Sequence, residues 1–270
     1  MTALLSPRQI RKPWGREDLC PIFSAHDGNR IGEIEFDPLA RIPDLLVKYI
    51  FTSEKLSVQV HPDADHAPGN GTCQNGKDEC WLIVDAEPGA TVGVGFGREV
   101  SADEMRKGAL DGSIEDMLAW HQVAPGDFLY IPAGTVHAIG AGISLIEVQQ
   151  RCDVTYRFYD YGRDRDLHLD EAIATAIGSP HPSGLRSRVG PDESASLVDG
   201  PHFLVDQVKG QPDAAVVRRY PGGLLVIPRF GHAIVSGEKI VAGQCAYAAS
   251  IAEVEFQRDA VCLLTGPCTP

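Results

Sequence analysis

Short apolar runs recur along the chain, many of them β-branched or alternating, with Gly, Pro, Asn and Asp between them. Residues 45 to 61, LLVKYIFTSEKLSVQVH, hold two such runs on either side of Thr52, Ser53 and Glu54, which predicts two strands and their connection. In the second run Ser57, Gln59 and His61 share one face, and Leu56, Val58 and Val60 share the other. Polar groups therefore stand on a face that a sheet would ordinarily give to its core. Pro62 ends this strand, and residues 62 to 76 are dense in Asp, Pro, Gly and Asn without periodicity, which predicts a long loop. Further runs at 79–84, 91–96, 128–131 and 144–148 have the spacing of an antiparallel sandwich or barrel.

One helical island interrupts the strands near 101–120. Ser101 followed by Glu104 reads as a capping box, and Met105, Ala109, Leu110, Ile114, Met117 and Leu118 follow helical spacing, broken at Gly112. A second helix is expected at 170–177, opened by Asp170 and closed by Gly178. The following SPHPSGLRSRVGPDESAS reads as a linker. Beyond it, strand-like runs at 203–208, 215–220, 224–227, 233–235 and 260–264 predict a smaller β unit. The expected organisation is a first domain over 1–180 and a second over 181–270.

Composition narrows the possible partners. With 28 Gly and 19 Pro in 270 residues, the chain is punctuated as often as a mainly β protein requires. Its 37 acidic against 24 basic residues give a net charge of -13, which opposes binding to a phosphate backbone and argues against nucleic acid. No stretch approaches the ~20 apolar residues that span a bilayer, and no apolar leader precedes Pro13, so a membrane partner is not expected. Seven cysteines without a C-x-x-C pair do not read as a disulfide framework or a Cys-based zinc site; a reducing cytoplasm fits, and most are expected to be small buried hydrophobes or surface thiols.

The most specific stretch is GDFLYIPAGTVH, Gly126 to His137, which spells G-x5-P-x-G-x2-H: a strand, a tight turn and a histidine at the start of the return strand. Gln59 and His61 lie two apart on one strand and project the same way. Glu79 opens an apolar run, where a buried carboxylate needs a partner. Together Gln59, His61, Glu79 and His137 supply two imidazole nitrogens and two oxygens. That set suits zinc or a similar divalent ion with a coordination position left open.

The chain resembles the short bacterial form of the type I phosphomannose isomerases, in the cupin superfamily. The resemblance is carried by KPWG (12–15), LLVKYI (45–50), LSVQVHPD (56–63), GKDECW (76–81), GDFLYIPAGTVHAI (126–139), LIEVQQRCDVTYRFYDYGR (145–163) and LHLDEA (167–172). It implies a cupin-type antiparallel β-barrel, or jelly roll, with a helical insertion and a second β unit. It implies one zinc ion on Gln59, His61, Glu79 and His137, a substrate-binding Ser57, and catalytic roles for Lys77 and Arg157. The implied reaction interconverts mannose 6-phosphate and fructose 6-phosphate through a cis-enediol. Glu147, a water and a histidine are candidate acceptors for the C2 proton. Lys48, Lys77, Arg157 and Arg163 are the cations near matched motifs that could meet the phosphate. The chain departs from the family pattern at Leu82, at Cys152-Asp153, and in the loop 64–75 with its His66 and Cys73. A cupin oxygenase and a non-catalytic sugar-phosphate-binding cupin are the alternative readings.

Overall fold

The computed structural model describes residues 4–19, 21–23, 28–68 and 73–268. Among the described residues, four antiparallel sheets make up the fold. The largest has seven strands, in the spatial order Pro7–Arg16, Ile31–Phe36, Leu45–Phe51, Ile143–Gln150, Glu79–Ala86, Asp127–Ile131 and Arg186–Arg188. A five-stranded sheet faces it, in the order Tyr156–Tyr159, Val58–Val60, His137–Ile139, Thr91–Phe96 and Leu118–Gln122. Trp81, Ile83 and Ile50 of the first pack with Val92, Val94 and Ile139 of the second. Among the described residues the two sheets do not join into one closed ring, so the jelly roll is an open sandwich. The second unit pairs a five-stranded sheet built around Phe203–Lys209, Val261–Pro267 and Leu224–Phe230 with a three-stranded one around His232–Val235.

The near-continuous apolar runs at 45–51, 79–84 and 143–148 follow from the seven-stranded sheet being the middle layer. Successive side chains of a strand point to opposite faces. Leu45, Val47, Tyr49 and Phe51 join a core that also holds Phe203, Leu225 and Leu263 of the second unit. Ile50 points the other way, into the sandwich. Both faces are dry, so both sets of positions are apolar, and the few polar residues on the inner face stand out: Lys48, Glu79 and Glu147.

The outer face of the five-stranded sheet is covered by helices. Val58 and Val60 pack with Met105, Ala109, Ile114 and Ala172, which leaves Gln59 to point inward. Helix Ala102–Asp111 carries both bonds of the capping box between Ser101 and Glu104, and it ends at Gly112, whose φ of 85° is the left-handed conformation glycine adopts freely.

Several expectations are corrected. Residues 215–220, read as a strand from their valines, form helix Ala214–Arg219, because Asp213 caps it by accepting from the backbone N–H of Ala215 and Val216. The second helix is Leu169–Thr175. His168, not Asp170, precedes it, and Gly178 does not cap it. A Cβ at Gly178 would lie 2.1 Å from the Val100 carbonyl oxygen, so close backbone approach is what requires glycine there. The expected linker is structured: Arg186–Arg188 pairs with Asp127–Ile131, and Val189 is buried. Cysteine pairing also differs, since Cys73 and Cys152 form a disulfide across a sequence separation of 79. Cys80, Cys245 and Cys262 are buried free thiols, as expected, and Cys20 lies outside the described residues. No helix among the described residues is long and apolar enough to cross a membrane.

Candidate metal centre

Three elements bring the donor set together. Gln59 and His137 are direct partners on neighbouring strands of the five-stranded sheet. Glu79 opens a strand of the facing sheet, opposite Ile131. The turn between Ile131 and His137 is fixed from two sides. The Gly134 N–H donates to the His61 carbonyl at 2.9 Å, and the Ala133 N–H donates to Asp78 Oδ1 at 2.9 Å. Gly134 has a φ of 83°, which the turn needs in order to reverse between Pro132 and His137.

His61 Nε2 lies 3.4 Å from Glu79 Oε2, and His137 Nε2 lies 3.5 Å from Glu79 Oε1. All three side chains are buried, and their donor atoms lie within 4.8 Å of one another. The tautomers follow from the outer nitrogens. His61 Nδ1 is 2.9 Å from the Val154 carbonyl and His137 Nδ1 is 2.9 Å from the Thr135 carbonyl. A carbonyl only accepts, so each Nδ1 carries its ring's proton and each Nε2 turns a lone pair inward. Burial, with the Lys77 ammonium adding to it, holds both imidazoles below their usual pKa and therefore neutral. Burial works to raise the Glu79 carboxyl, but the Lys77 ammonium, by its charge and its hydrogen bond, overcomes it and holds the group below the usual carboxylate range. Two neutral imidazoles and an ionised carboxylate are the protonation states a divalent cation requires.

Gln59 completes the set. Its amide nitrogen lies 3.5 Å from His61 Nε2 and 3.3 Å from His137 Nε2, while the Ser57 hydroxyl donates to its oxygen at 2.9 Å. Rotating the amide by half a turn presents the oxygen to the centre and the nitrogen to Ser57, a hydroxyl able to accept. Lys77 is buried. It donates to Glu79 Oε2 at 2.6 Å and lies 2.9 Å from His61 Nε2, so the donor set already accommodates a positive charge. The donors thus fit a divalent ion by type, protonation state and separation.

A cavity of about 80 Å³ adjoins these residues, with Ser57, Gln59, Lys77, Glu79, Glu147 and Arg157 on its walls. Glu147 is buried; Trp81 Nε1 donates to its Oε2 at 3.1 Å and Lys48 Nζ lies 3.4 Å from its Oε1. Burial and then the Glu79 charge raise its pKa. Arg157 stands opposite Gln59 in the strand register, and its buried Nε has no hydrogen-bond partner among the described residues. Arg163 is not on the cavity wall. It bonds the Lys55 carbonyl and stacks on Tyr161 at 5.4 Å. Arg165, which the sequence reading missed, lines the cavity instead, held by two bonds of 2.6 and 2.7 Å to buried Asp160. Glu33 and Lys12 were also missed. Glu33 accepts ion pairs from Lys12 at 2.9 Å and Lys48 at 3.8 Å, and the signal for this network was Lys48, a lone cation inside an apolar run.

No family model matches the chain. Over 154 residues it is 40% identical to the mannose-6-phosphate isomerase ManA of Bacillus subtilis, which is 55% of this chain and 47% of that protein. It is 41% identical over 143 residues to the mannose-6-phosphate isomerase of Streptococcus mutans, 50% of this chain and 45% of that one. The chain resembles the mannose-6-phosphate isomerases. It spans about half the length of the curated relatives it matches. The fold likeness runs further. A solved mannose 6-phosphate isomerase from Bacillus subtilis superposes with a TM-score of 0.74 at 22% identity, over 98% of this chain and 99% of that one. A putative mannosephosphate isomerase from Archaeoglobus fulgidus gives 0.75 at 16% identity, over 100% and 99%. The shared fold therefore takes in the second β unit as well as the first.

Proposed function

We propose that the chain is a metal-dependent aldose–ketose isomerase that interconverts mannose 6-phosphate and fructose 6-phosphate, with one zinc ion on Gln59, His61, Glu79 and His137. The observation that carries this reading is the inward lone pairs of His61 and His137 meeting the Glu79 carboxylate beside a cavity walled by Lys77 and Arg157. When bound, the ion supplies Lewis-acid polarisation of substrate oxygens.

The chain's own groups divide the remaining work. Moving a proton between C2 and C1 needs an acid–base group, and buried Glu147, oriented by Trp81 and with its pKa raised by burial and the Glu79 charge, is moved in the direction that such a role favours. Arg157, with an uncommitted buried donor, and Lys77 offer positive charge to the enediolate oxygen. Ser57 orients the Gln59 amide. Arg165, fixed by Asp160, is better placed than Arg163 to meet the phosphate. A phosphorylated sugar does not cross an apolar bilayer unaided, which favours a cytoplasmic setting, while the Cys73–Cys152 disulfide is a bond that a reducing compartment disfavours.

The test is a coupled assay with mannose 6-phosphate, run before chelation, after chelation, and after zinc is restored. Turnover lost to the chelator and regained with zinc is expected. An absence of turnover with every hexose 6-phosphate would overturn the reading.

A further inference from the structure

A second cleft, of about 600 Å³, opens at the junction of the two units. Its walls are mostly apolar, from Val84, Pro125, Val189, Pro191 and Phe230, and Arg229 stands among them. Val84 and Glu79 belong to one strand, five residues and roughly 17 Å apart, which separates the cleft from the metal centre.

The other charged groups around the cleft are already engaged by protein partners, although the Glu193 carboxylate keeps its charge. The Arg188 guanidinium donates to Asp127 at 2.7 Å, and the Glu193 carboxylate accepts from the Gly190 N–H at 2.8 Å. Arg229 sits at a register irregularity of strand Leu224–Phe230 and is held in place by Gln207. Fully buried Gln207 donates through Nε2 to the carbonyls of Gly190 at 2.8 Å and Glu193 at 2.7 Å, which fixes its oxygen toward Arg229 Nη1. Arg229 Nε is buried without a partner, and no carboxylate among the described residues pairs with this side chain. The nearby Tyr49 phenol is kept protonated by burial and provides no negative charge. Burial pushes the Arg229 pKa down to about 10, which leaves it a cation at neutral pH. A positioned, partly buried cation whose Nε is buried, and with which no carboxylate among the described residues pairs, costs stability in a protein of net charge -13 that has many carboxylates to offer. Such an arrangement suits a ligand that brings the missing charge.

We propose that this cleft binds a small organic oxyanion, a carboxylate or phosphate ester on an apolar body, with Arg229 as its anchor and Pro125, Pro191 and Phe230 as the walls for the body. The proposal is independent of the reaction at the metal centre.

The test titrates the metal-loaded protein with benzoate by calorimetry. One saturable site is expected, its affinity falling as chloride is raised. Arg229→Met should weaken binding by at least roughly tenfold, the loss of one charge-assisted hydrogen bond. Arg229→Lys, which keeps the charge and loses the fork, should fall between the two and serves if the methionine variant does not fold. Phenyl phosphate should compete with benzoate, and inorganic phosphate should compete poorly. Arg157→Ala should bind benzoate as the wild type does, which separates this cleft from the cationic cavity at the metal centre. No saturable binding, wild-type affinity in Arg229→Met, insensitivity to chloride, equal competition by inorganic phosphate, or loss in Arg157→Ala would each overturn the proposal.

Discussion

The His61 Nδ1 lies 2.9 Å from the carbonyl oxygen of Val154, and the Val154 N–H in turn points at Cys152 Sγ, 3.5 Å away. The disulfide to Cys73 therefore lies two contacts from a candidate metal ligand. It ties the loop that follows His61 to the segment that orients its ring.

Reducing this bond, or replacing both cysteines by serine, should lower stability by about 2–4 kcal/mol, the usual range for a native crosslink. Metal affinity should fall with it, because the Val154 acceptor loosens. Thermal melting and metal titration with and without a dithiol reductant check this. An unchanged melting temperature would show that the crosslink adds nothing.

Removing a donor should empty the centre. His137→Ala and Glu79→Gln should each lose stoichiometric zinc by elemental analysis, and Glu79→Gln also leaves the buried Lys77 ammonium without the carboxylate 2.6 Å away. A further loss of stability is expected for that variant and can be read by denaturant titration.

Arg157→Ala is expected to abolish most turnover, by roughly 10²–10³ in kcat, while zinc stays bound. Glu147→Gln should cost roughly 10²–10⁴ with the metal likewise retained. Undiminished turnover in either variant, measured beside its zinc content, would remove that residue from the mechanism.

The metal-free protein should lose stability as pH falls below 6.5. His61 and His137 have folded pKa values below that unfolded value, so the unfolded chain binds more protons there and their contribution is lost on acidification. Glu147 works in the opposite sense, since its raised pKa makes protonation favour the folded state as pH falls. The held-down Glu79 carboxyl adds to the imidazoles at lower pH, so loss is the expected direction, and Glu147→Gln should steepen it. Melting temperatures measured across this range that stayed level or rose would contradict the assignment of neutral, buried rings.

The four candidate donors could be singled out because each is a polar residue at an inward position of an otherwise apolar or turn-bound motif. Alternation alone separated Gln59 and His61 from Val58 and Val60. The choice between Arg163 and Arg165 was not legible, because both follow the last strand of their sheet in a turn where no periodicity says which guanidinium faces inward. The valines of 214–219 favoured a strand, and only the Asp213 cap decided otherwise. The Cys73–Cys152 pair was hidden because it joins a loop of no fixed period to a residue 79 positions away. Gly178 resembled a helix stop, but the reason for it is a neighbouring backbone, which sequence does not display.

Tyr49, Phe36 and Leu82 of the middle sheet share one core with Phe203, Leu225 and Leu263 of the second unit. A fragment cut near residue 180 would keep every candidate ligand and still bare this greasy wall to water, a surface that invites self-association. The second unit thus backs the sheet whose opposite face carries Glu79, and the smallest piece able to carry the chemistry in solution is larger than the piece that contains its residues.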